Sequence, residues 1–154
     1  MQKFERAEFE VKEYVESEHY GKFVFEPLER GFGTTIGNAL RRVLLSSLPG
    51  AAVFAIKMDG VYHEFTAIPG VVEDVTAIIL NIKKLILKIA DDEVYTLRIS
   101  KRGPGEVRGS DIICPEGVEI LSKDHYICTL EEDGVLEMEP QARVGRGYVS
   151  ADTN

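Results

Sequence analysis

Histidine and cysteine side chains are the groups in this chain that could serve as a catalytic base, a nucleophile or a zinc ligand. The histidines are His19, His63 and His125, each in a different segment and without a recognisable catalytic signature around it. Cys114 and Cys128 lack the repeated CxxC spacing of a zinc site. Because a hydrolase or transferase needs a nucleophile, a base and an orienting group together, the pattern argues against a catalytic centre.

The closest pair among these residues, His125 and Cys128, is also a poor metal site. They are an odd number of positions apart, so in a strand their side chains point to opposite faces and cannot hold one ion. We interpret Cys114 and Cys128 as reduced structural residues of a cytoplasmic protein, and we predict that no disulfide joins them.

Two glycine clusters, Gly31–Gly33 and Gly145–Gly147, are the segments that might be compared with phosphate-binding loops. Neither has the lysine of the phosphate-binding loop, and neither has the third glycine that the dinucleotide-binding fingerprint places at a helix start. We therefore predict no nucleotide site and no cofactor.

The composition favours a soluble globular protein. The chain has 154 residues, of which 44% are hydrophobic, enough for the core of one domain or of two small ones. Lys and Arg total 18 against 26 Asp and Glu, and this net charge of -8 repels nucleic-acid phosphate and anionic membranes unless the positive charges gather on one face. The sequence has no export signal and no apolar run of the ~18 residues that a membrane helix needs, so a cytoplasmic location is expected.

The first part of the chain predicts a hairpin followed by a helix. Strand-like segments at Phe9–Val15 and Lys22–Leu28 flank a polar, glycine-containing turn. A helix of about four turns is predicted from Thr34, as its N-cap, to Leu48, where Pro49 and Gly50 end it. The same Pro-Gly pair is a candidate domain boundary.

The sequence of residues 51–154 predicts an α+β domain rich in antiparallel sheet. Strands Val53–Met58 and Val61–Thr66 are predicted to form a hairpin around Asp59-Gly60. A helix is predicted from Val71 to about Lys84, with one apolar face. That face comprises Val71, Val75, Ile78, Ile79 and Ile82. Further strands are predicted at Leu85–Ala90, Val94–Ile99, Val118–Leu121, Tyr126–Leu130 and Val135–Met138, with a loop at Gly103-Pro104-Gly105.

The helix after Gly33 has two informative faces. At about 100° per residue, its apolar side chains form one arc, and a polar face lies opposite. The apolar arc contains Ile36, Ala39, Leu40, Val43, Leu44 and Leu48, and the opposite face contains Asn38, Arg41, Arg42 and Leu45. The simplest interpretation of the arc is a core face packed on the hairpin, but a two-stranded hairpin is too small to cover it well. Another chain or further residues would then bury the rest.

Two interpretations of the arginine face remain open. The helix contains no Asp or Glu, so neither Arg41 nor Arg42 has an intrahelical partner. They are either solvated or paired across the fold with an acid such as Glu26 or Glu29, or they form a docking site. Leu45 among the arginines favours docking, because an apolar anchor beside guanidinium groups is typical of protein interfaces.

Residues 26–50, which read EPLERGFGTTIGNALRRVLLSSLPG, closely resemble a hallmark segment of bacterial RNA polymerase α subunits. The resemblance continues through Asp59–Phe65, Asn81–Lys83 and Val144–Val149, in the family's order and over nearly the whole chain. It implies an α+β fold in which residues 1–50 are the first part of a dimerisation domain, and residues 51–154 form a domain inserted into it.

The resemblance also implies where partner subunits bind. By this resemblance, Arg42 and Leu45 correspond to helix positions that contact the β subunit, and the surroundings of His63 to Ala77 add to that surface. With the other residues of the same helix face, the predicted β interface comprises Asn38, Arg41, Arg42, Leu45, His63 and Glu64. The resemblance assigns to a β or β′ interface Lys83, Gly145, Arg146, Gly147 and Tyr148. The apolar face found from the helical period, Ile36, Leu40, Val43, Leu44 and Leu48, is then predicted to serve dimerisation or the core.

The implied function is that of a non-catalytic assembly scaffold. In the family, two α subunits dimerise and bind the β and β′ subunits, which carry out nucleotidyl transfer, in a cytoplasmic enzyme associated with the nucleoid. The family's chain continues beyond the position of Asn154, completing the dimerisation domain and reaching a DNA-binding domain. We therefore expect no direct DNA contact from these residues, and we expect the helix arc to expose apolar surface that promotes association.

A nucleic-acid-binding module is the alternative function. It would depend on basic residues that are spread over several elements and outnumbered by acids. These residues are Lys83, Lys84, Lys88, Arg98, Lys101, Arg102 and Arg108.

Overall fold

The computed structural model describes residues 5–154 of the chain. These residues form two compact units, the first made of 5–49 and 146–153, and the second of 50–145 with Asn154. We predicted that the second domain runs without interruption from residue 51 to Asn154, whereas 146–153 group with the first unit. The reason is a return of the chain to the first helix, where Arg146 Nη1 donates a hydrogen bond to the Ser47 carbonyl at 3.0 Å.

Within residues 5–154 the chain has two α-helices and ten strands, which confirms the predicted α+β class. The helices are α1 (Phe32–Ser46) and α2 (Val75–Lys83). The strands are β1 (Glu8–Val15), β2 (Tyr20–Glu26), β3 (Pro49–Met58), β4 (Leu87–Ile89), β5 (Tyr95–Thr96), β6 (Ile99–Arg102), β7 (Gly105–Arg108), β8 (Val118–Ile120), β9 (Tyr126–Leu130) and β10 (Val135–Arg146).

The first unit contains the predicted hairpin, in which β1 and β2 pair antiparallel. Phe9 lies opposite Phe25, and Val11 lies opposite Phe23. Because residues two apart on a strand share a face, these four side chains form one apolar face of the hairpin. All four are exposed to solvent.

Helix α1 begins three residues earlier than predicted, because its N-cap is Gly31 and not Thr34. Gly31 caps the helix in the left-handed region, at a φ of 89°, and no side chain caps it. Glycine suits this position because a residue with a Cβ is strained there. The predicted end at Leu48 was also wrong, because Pro49 and Gly50 start β3 and the helix ends at Ser46.

The predicted hairpin of Val53–Met58 with Val61–Thr66 was wrong. A turn does follow β3 at Asp59-Gly60, but residues 61–66 form a loop. Strand β3 pairs instead with β10, which also pairs antiparallel with β5 and β6. Two smaller antiparallel pairs, β4 with β8 and β7 with β9, complete the strands of the second unit.

Strand β10 is much longer than the predicted Val135–Met138. A proline inside a strand is unusual, because it lacks the N–H that a sheet needs. In the structure the alternation continues, with Pro140 and Ala142 buried, and the Pro140 carbonyl accepts a hydrogen bond from Leu97 N at 2.7 Å. The predicted loop at Gly103–Gly105 was partly wrong, because Gly105 begins β7, and the predicted strand Val94–Ile99 divides into β5 and β6.

Helix α2 starts at Val75 rather than at Val71. Asp74 is its N-cap, and Oδ1 of this residue accepts a hydrogen bond from Ala77 N at 2.8 Å. Val71 precedes the helix and forms a bridge with Leu130. The predicted apolar face is confirmed for the residues within the helix, since Val75, Ile78 and Ile82 are buried and Ile79 is partly buried. Val71 packs partly buried against the same core from outside the helix.

All of the buried hydrophobic core within residues 5–154 belongs to the second unit. Most of its members come from α2 and from strands of every sheet in that unit, and Leu85, Leu97 and Ile112 come from the connecting segments. They are Met58, Val75, Ile78, Ile82, Leu85, Leu87, Ile89, Leu97, Ile99, Val107, Ile112, Ile120, Ile127, Cys128, Leu130, Leu136, Met138 and Ala142. In the part of the chain that the structure describes, neither helix combines the length and the apolar character needed to span a bilayer.

Candidate subunit interface

The apolar face of α1 is open to solvent. None of the residues of α1 is buried in the structure of residues 5–154. Leu40 is 58% exposed and Leu44 is 61% exposed, while Val43 and Leu48 are exposed to a similar degree and Ile36 is half-buried. This surface therefore does not serve as a core face packed against the described hairpin.

The opposite face of α1 carries Asn38, Arg41, Arg42 and Leu45, all exposed. Among residues 5–154, no salt bridge joins either arginine to a carboxylate, so the pairing with Glu26 or Glu29 that we considered is not formed. Local contacts involve the backbone: Ser46 Oγ donates a hydrogen bond to the Arg42 carbonyl at 2.6 Å. The guanidinium groups thus remain free to bind an acceptor on another molecule.

His63 and Glu64 lie in the second unit, on the loop between β3 and α2. The start of α2 holds this loop, because Val75 N donates to the Thr66 carbonyl at 3.0 Å and Thr76 Oγ1 donates to the Glu64 carbonyl at 2.6 Å. His63 Nδ1 accepts a hydrogen bond from Phe65 N at 3.3 Å. These contacts give an exposed loop a defined backbone conformation.

Two aromatic residues of this loop lie in or beside the predicted segment His63–Ala77, although they were not named as interface candidates. Tyr62 is 96% exposed and Phe65 is 79% exposed. Exposed aromatic side chains are enriched at protein interfaces. Their position next to His63 and Glu64 was the available signal.

A groove of about 230 Å³ lies beside the loop. Apolar side chains from β3 and α2 form much of its wall, and three loop residues add polar groups. It is lined by Ile56, Met58, Val61, Tyr62, His63, Glu64, Val75 and Ile79. The arrangement suits an apolar side chain of a partner flanked by polar contacts.

The remaining candidate residues fall into two groups. Lys83 is the exposed last residue of α2, and Gly145 is near the end of β10. Arg146 and Gly147 lie beside the C-terminal end of α1, where a Cβ added at Gly147 would be 3.5 Å from the Leu45 carbonyl oxygen. Tyr148 is 89% exposed. The structure therefore brings Arg146 and Gly147 next to the helix that carries Leu45.

Comparison with protein families matches residues 56–154 to the RNA polymerase Rpb3/RpoA insert domain. The chain belongs to this family. Two similar curated proteins are both named DNA-directed RNA polymerase subunit alpha. The one from Syntrophomonas wolfei is 55% identical over 152 residues, which cover 99% of this chain and 48% of that protein. The one from Alkaliphilus metalliredigens is 54% identical over 154 residues, which cover 100% of this chain and 49% of that protein. The chain thus spans about half the length of these relatives.

The histidines and cysteines of this RpoA-family chain do not converge on one site. Among residues 5–154, no three His, Cys, Asp or Glu side chains are grouped so that they could hold a metal ion. His125 Nε2 is hydrogen-bonded to the Asn81 carbonyl at 2.7 Å. Cys114 and Cys128 are free thiols, one half-buried and one fully buried.

The two cysteines are expected to react with iodoacetamide at different rates. Burial, assisted by the negative charge of Glu73, raises the pKa of Cys128 to about 12, and burial also raises the pKa of Cys114. Because the thiolate is the nucleophile, roughly one Cys128 in ten thousand is reactive at about pH 8. Peptide mass spectrometry over time should show Cys114 labelled first. Equal labelling of the two residues in the folded protein would contradict the buried position of Cys128.

Proposed function

We propose that this chain acts as an assembly scaffold of a DNA-directed RNA polymerase. It self-associates as part of an α subunit and docks the β and β′ subunits, and it contributes no catalytic residue and no cofactor. The observation that carries this proposal is α1, which exposes an apolar arc on one side and an arginine-and-leucine face on the other. Family membership and the names of the relatives support it.

The apolar arc of α1 is proposed as the surface that binds a second copy of the chain. Leu40, Val43 and Leu44 together expose apolar surface to water. Burial of this surface by a helix from a second copy would be favourable in free energy. A two-fold pair would use the same arc twice, so each contact would be made twice. The exposed apolar face of the hairpin lies in the same unit, and it adds to the apolar surface that a second copy could bury.

The opposite face of α1 is proposed to bind β. Leu45 supplies an apolar anchor, and Arg41 and Arg42 supply guanidinium donors with no carboxylate partner among residues 5–154. Such a combination is typical of interface hot spots. Asn38 adds a hydrogen-bonding side chain to this face.

The exposed loop of the second unit is proposed as a further part of the β surface, through His63 and Glu64. Lys83 and the segment Gly145–Tyr148 are proposed as contacts to β or β′. The cell location that follows is the cytoplasm, with the nucleoid as the place where an assembled polymerase works.

The alternative of a nucleic-acid-binding module is disfavoured because three of its seven basic residues pair with acids within the chain. Arg98 pairs with Glu137 at 3.4 Å, and Lys101 pairs with Asp111 at 3.1 Å. Arg108 pairs with Glu106. These acids offset the positive charge that phosphate binding would require.

A salt titration distinguishes the two functions. Binding of the β subunit by the full-length protein, and of duplex DNA by residues 1–154 alone, would be measured between about 50 and about 200 mM salt. We expect β to bind across this range with a modest loss of affinity, because an interface with an apolar anchor depends weakly on salt. We expect residues 1–154 to bind no duplex DNA at physiological salt. DNA binding that falls steeply with salt, in the absence of β binding, would favour the alternative.

A further inference from the structure

The residues just before α2 bind the end of β9 partly through their backbone and partly through a side chain. Residues 70–72 run antiparallel to the end of β9, with Val72 N donating to the Thr129 carbonyl at 3.0 Å and Glu131 N donating to the Gly70 carbonyl at 2.8 Å. In a continued ladder Thr129 N would donate to the Val72 carbonyl. It donates instead to Glu73 Oε2 at 2.9 Å.

The carboxylate of Glu73 therefore serves two donors of β9. Oε1 accepts a hydrogen bond from the Tyr126 hydroxyl, which also contacts Thr129 Oγ1. Burial, and next the hydrogen bond with Glu73, raise the pKa of Tyr126, so the hydroxyl stays protonated as a donor. Hydrogen bonds to a carboxylate are stronger than those between neutral groups. We call Glu73, Tyr126 and Thr129 the Glu73 network.

Asn81 makes a similar contact near the other end of α2. Its Nδ2 donates to the Ile127 carbonyl at 2.8 Å. Two side chains thus bind α2 to backbone groups of β9, one before the first helical turn and one in the last. The orientation of α2 on the sheet is fixed at both ends.

The residues directly after Glu73 hold the exposed aromatic loop. Asp74 forms a bridge with Ala67, and Val75 and Thr76 donate the hydrogen bonds to the loop carbonyls described above. If Glu73 moves, the next residues along the chain move with it, and these hold the loop that carries Tyr62, His63 and Glu64. No residue of the Glu73 network belongs to that loop.

We propose that Glu73 is a positioning residue, which sets the conformation of residues 62–66 for binding β by holding the start of α2 on β9. The link to β depends on the proposed function, whereas the effect of Glu73 on the loop does not. Asn81 stabilises the far end of α2 and is expected to affect the loop less.

The test is hydrogen exchange in the full-length protein, with β affinity measured in parallel. Glu73→Ala should raise amide exchange in residues 62–76 about tenfold or more, leave β7 and the centre of β9 protected, and weaken β binding about tenfold. Glu73→Gln should retain most of both properties, because its amide oxygen can accept from Thr129 N. Glu132→Ala removes an exposed acid from the loop after β9 and is the matched control, with no expected change.

Several outcomes would overturn the proposal. If Glu73→Ala raises amide exchange uniformly over the second unit, Glu73 contributes to stability alone. If exchange in residues 62–76 is unchanged, Glu73 does not position the loop. Faster loop exchange with wild-type β affinity would remove the link to β. If Glu73→Ala does not fold, Tyr126→Phe decides, since it removes one donor and should loosen the same segment. If the wild-type protein does not bind β, the proposed function fails, and the exchange pattern still decides the effect on the loop.

Discussion

Replacing Arg42 by alanine is expected to weaken binding of the β subunit roughly thirtyfold or more, with the fold almost unchanged. Arg42 is exposed on α1, and no carboxylate among residues 5–154 pairs with it, so its removal breaks no ion pair of the described fold. If its guanidinium meets a carboxylate or carbonyl of β away from water, its loss leaves that acceptor unpaired. The cost is on the order of 2 to 5 kcal/mol, and about 1.4 kcal/mol is tenfold in affinity.

Arg41→Ala is the paired control for this experiment. Arg41 has the same charge and is also exposed, but it points at a different angle around α1 and should matter less for β. The measurement is a pull-down of full-length variants with β, with thermal melts to verify the fold. Wild-type binding by Arg42→Ala would refute the docking role of this helix face. A surface ion pair within the chain would instead cost at most ~1 kcal/mol of stability and leave β binding alone.

The faces of the helices were predictable because they depend on local periodicity. The apolar residues of α2 are buried as predicted, and those of α1 lie on one side of the helix as a period of 3.6 requires. The helix starts were less predictable. At α1 the left-handed Gly31 competes with Thr34 as a cap, and at α2 the bridge between Val71 and Leu130 keeps four residues out of the helix.

Strand pairing was predicted poorly, because partners far apart in sequence decide it. Asp59-Gly60 suggested a local hairpin, yet β3 pairs with β10, and no local signal near Val61 indicates this. The strand predicted at Val135–Met138 in fact continues to Arg146. Both errors concern strands that pair across long stretches of chain, whereas the hairpin of β1 and β2, which is local, was found.

For the candidate site, residue types on α1 could be assigned to faces from the sequence, whereas contacts between distant segments could not. The position of Arg146 beside Ser47 and that of Glu73 beside Thr129 each join residues that are far apart in the chain. The solvent exposure of the apolar arc was expected, because the two-stranded hairpin is too small to cover it. The Glu73 network had no sequence signal, since a single Glu before a helix is usually explained by the helix dipole.

Leu44→Glu is expected to raise the dissociation constant of self-association about a hundredfold or more. Leu44 is 61% exposed on the apolar arc, and full burial of a leucine contributes about 1.5 to 3 kcal/mol. In a two-fold pair the substitution acts in both copies, so about 3 to 6 kcal/mol is lost before the cost of burying a carboxylate is added.

Leu45→Glu is the matched control, because Leu45 is 59% exposed, is the next residue along the helix and lies on the opposite face. It introduces the same charge into the same helix, so a general effect on α1 stability would appear in both variants. Sedimentation equilibrium of the full-length protein should show weakened association for Leu44→Glu and near wild-type association for Leu45→Glu, while β binding should show the reverse order. If both variants associate like the wild type, the arc of Ile36, Leu40, Val43, Leu44 and Leu48 is not the self-association surface. If only Leu45→Glu dissociates, the two faces of α1 have the opposite roles.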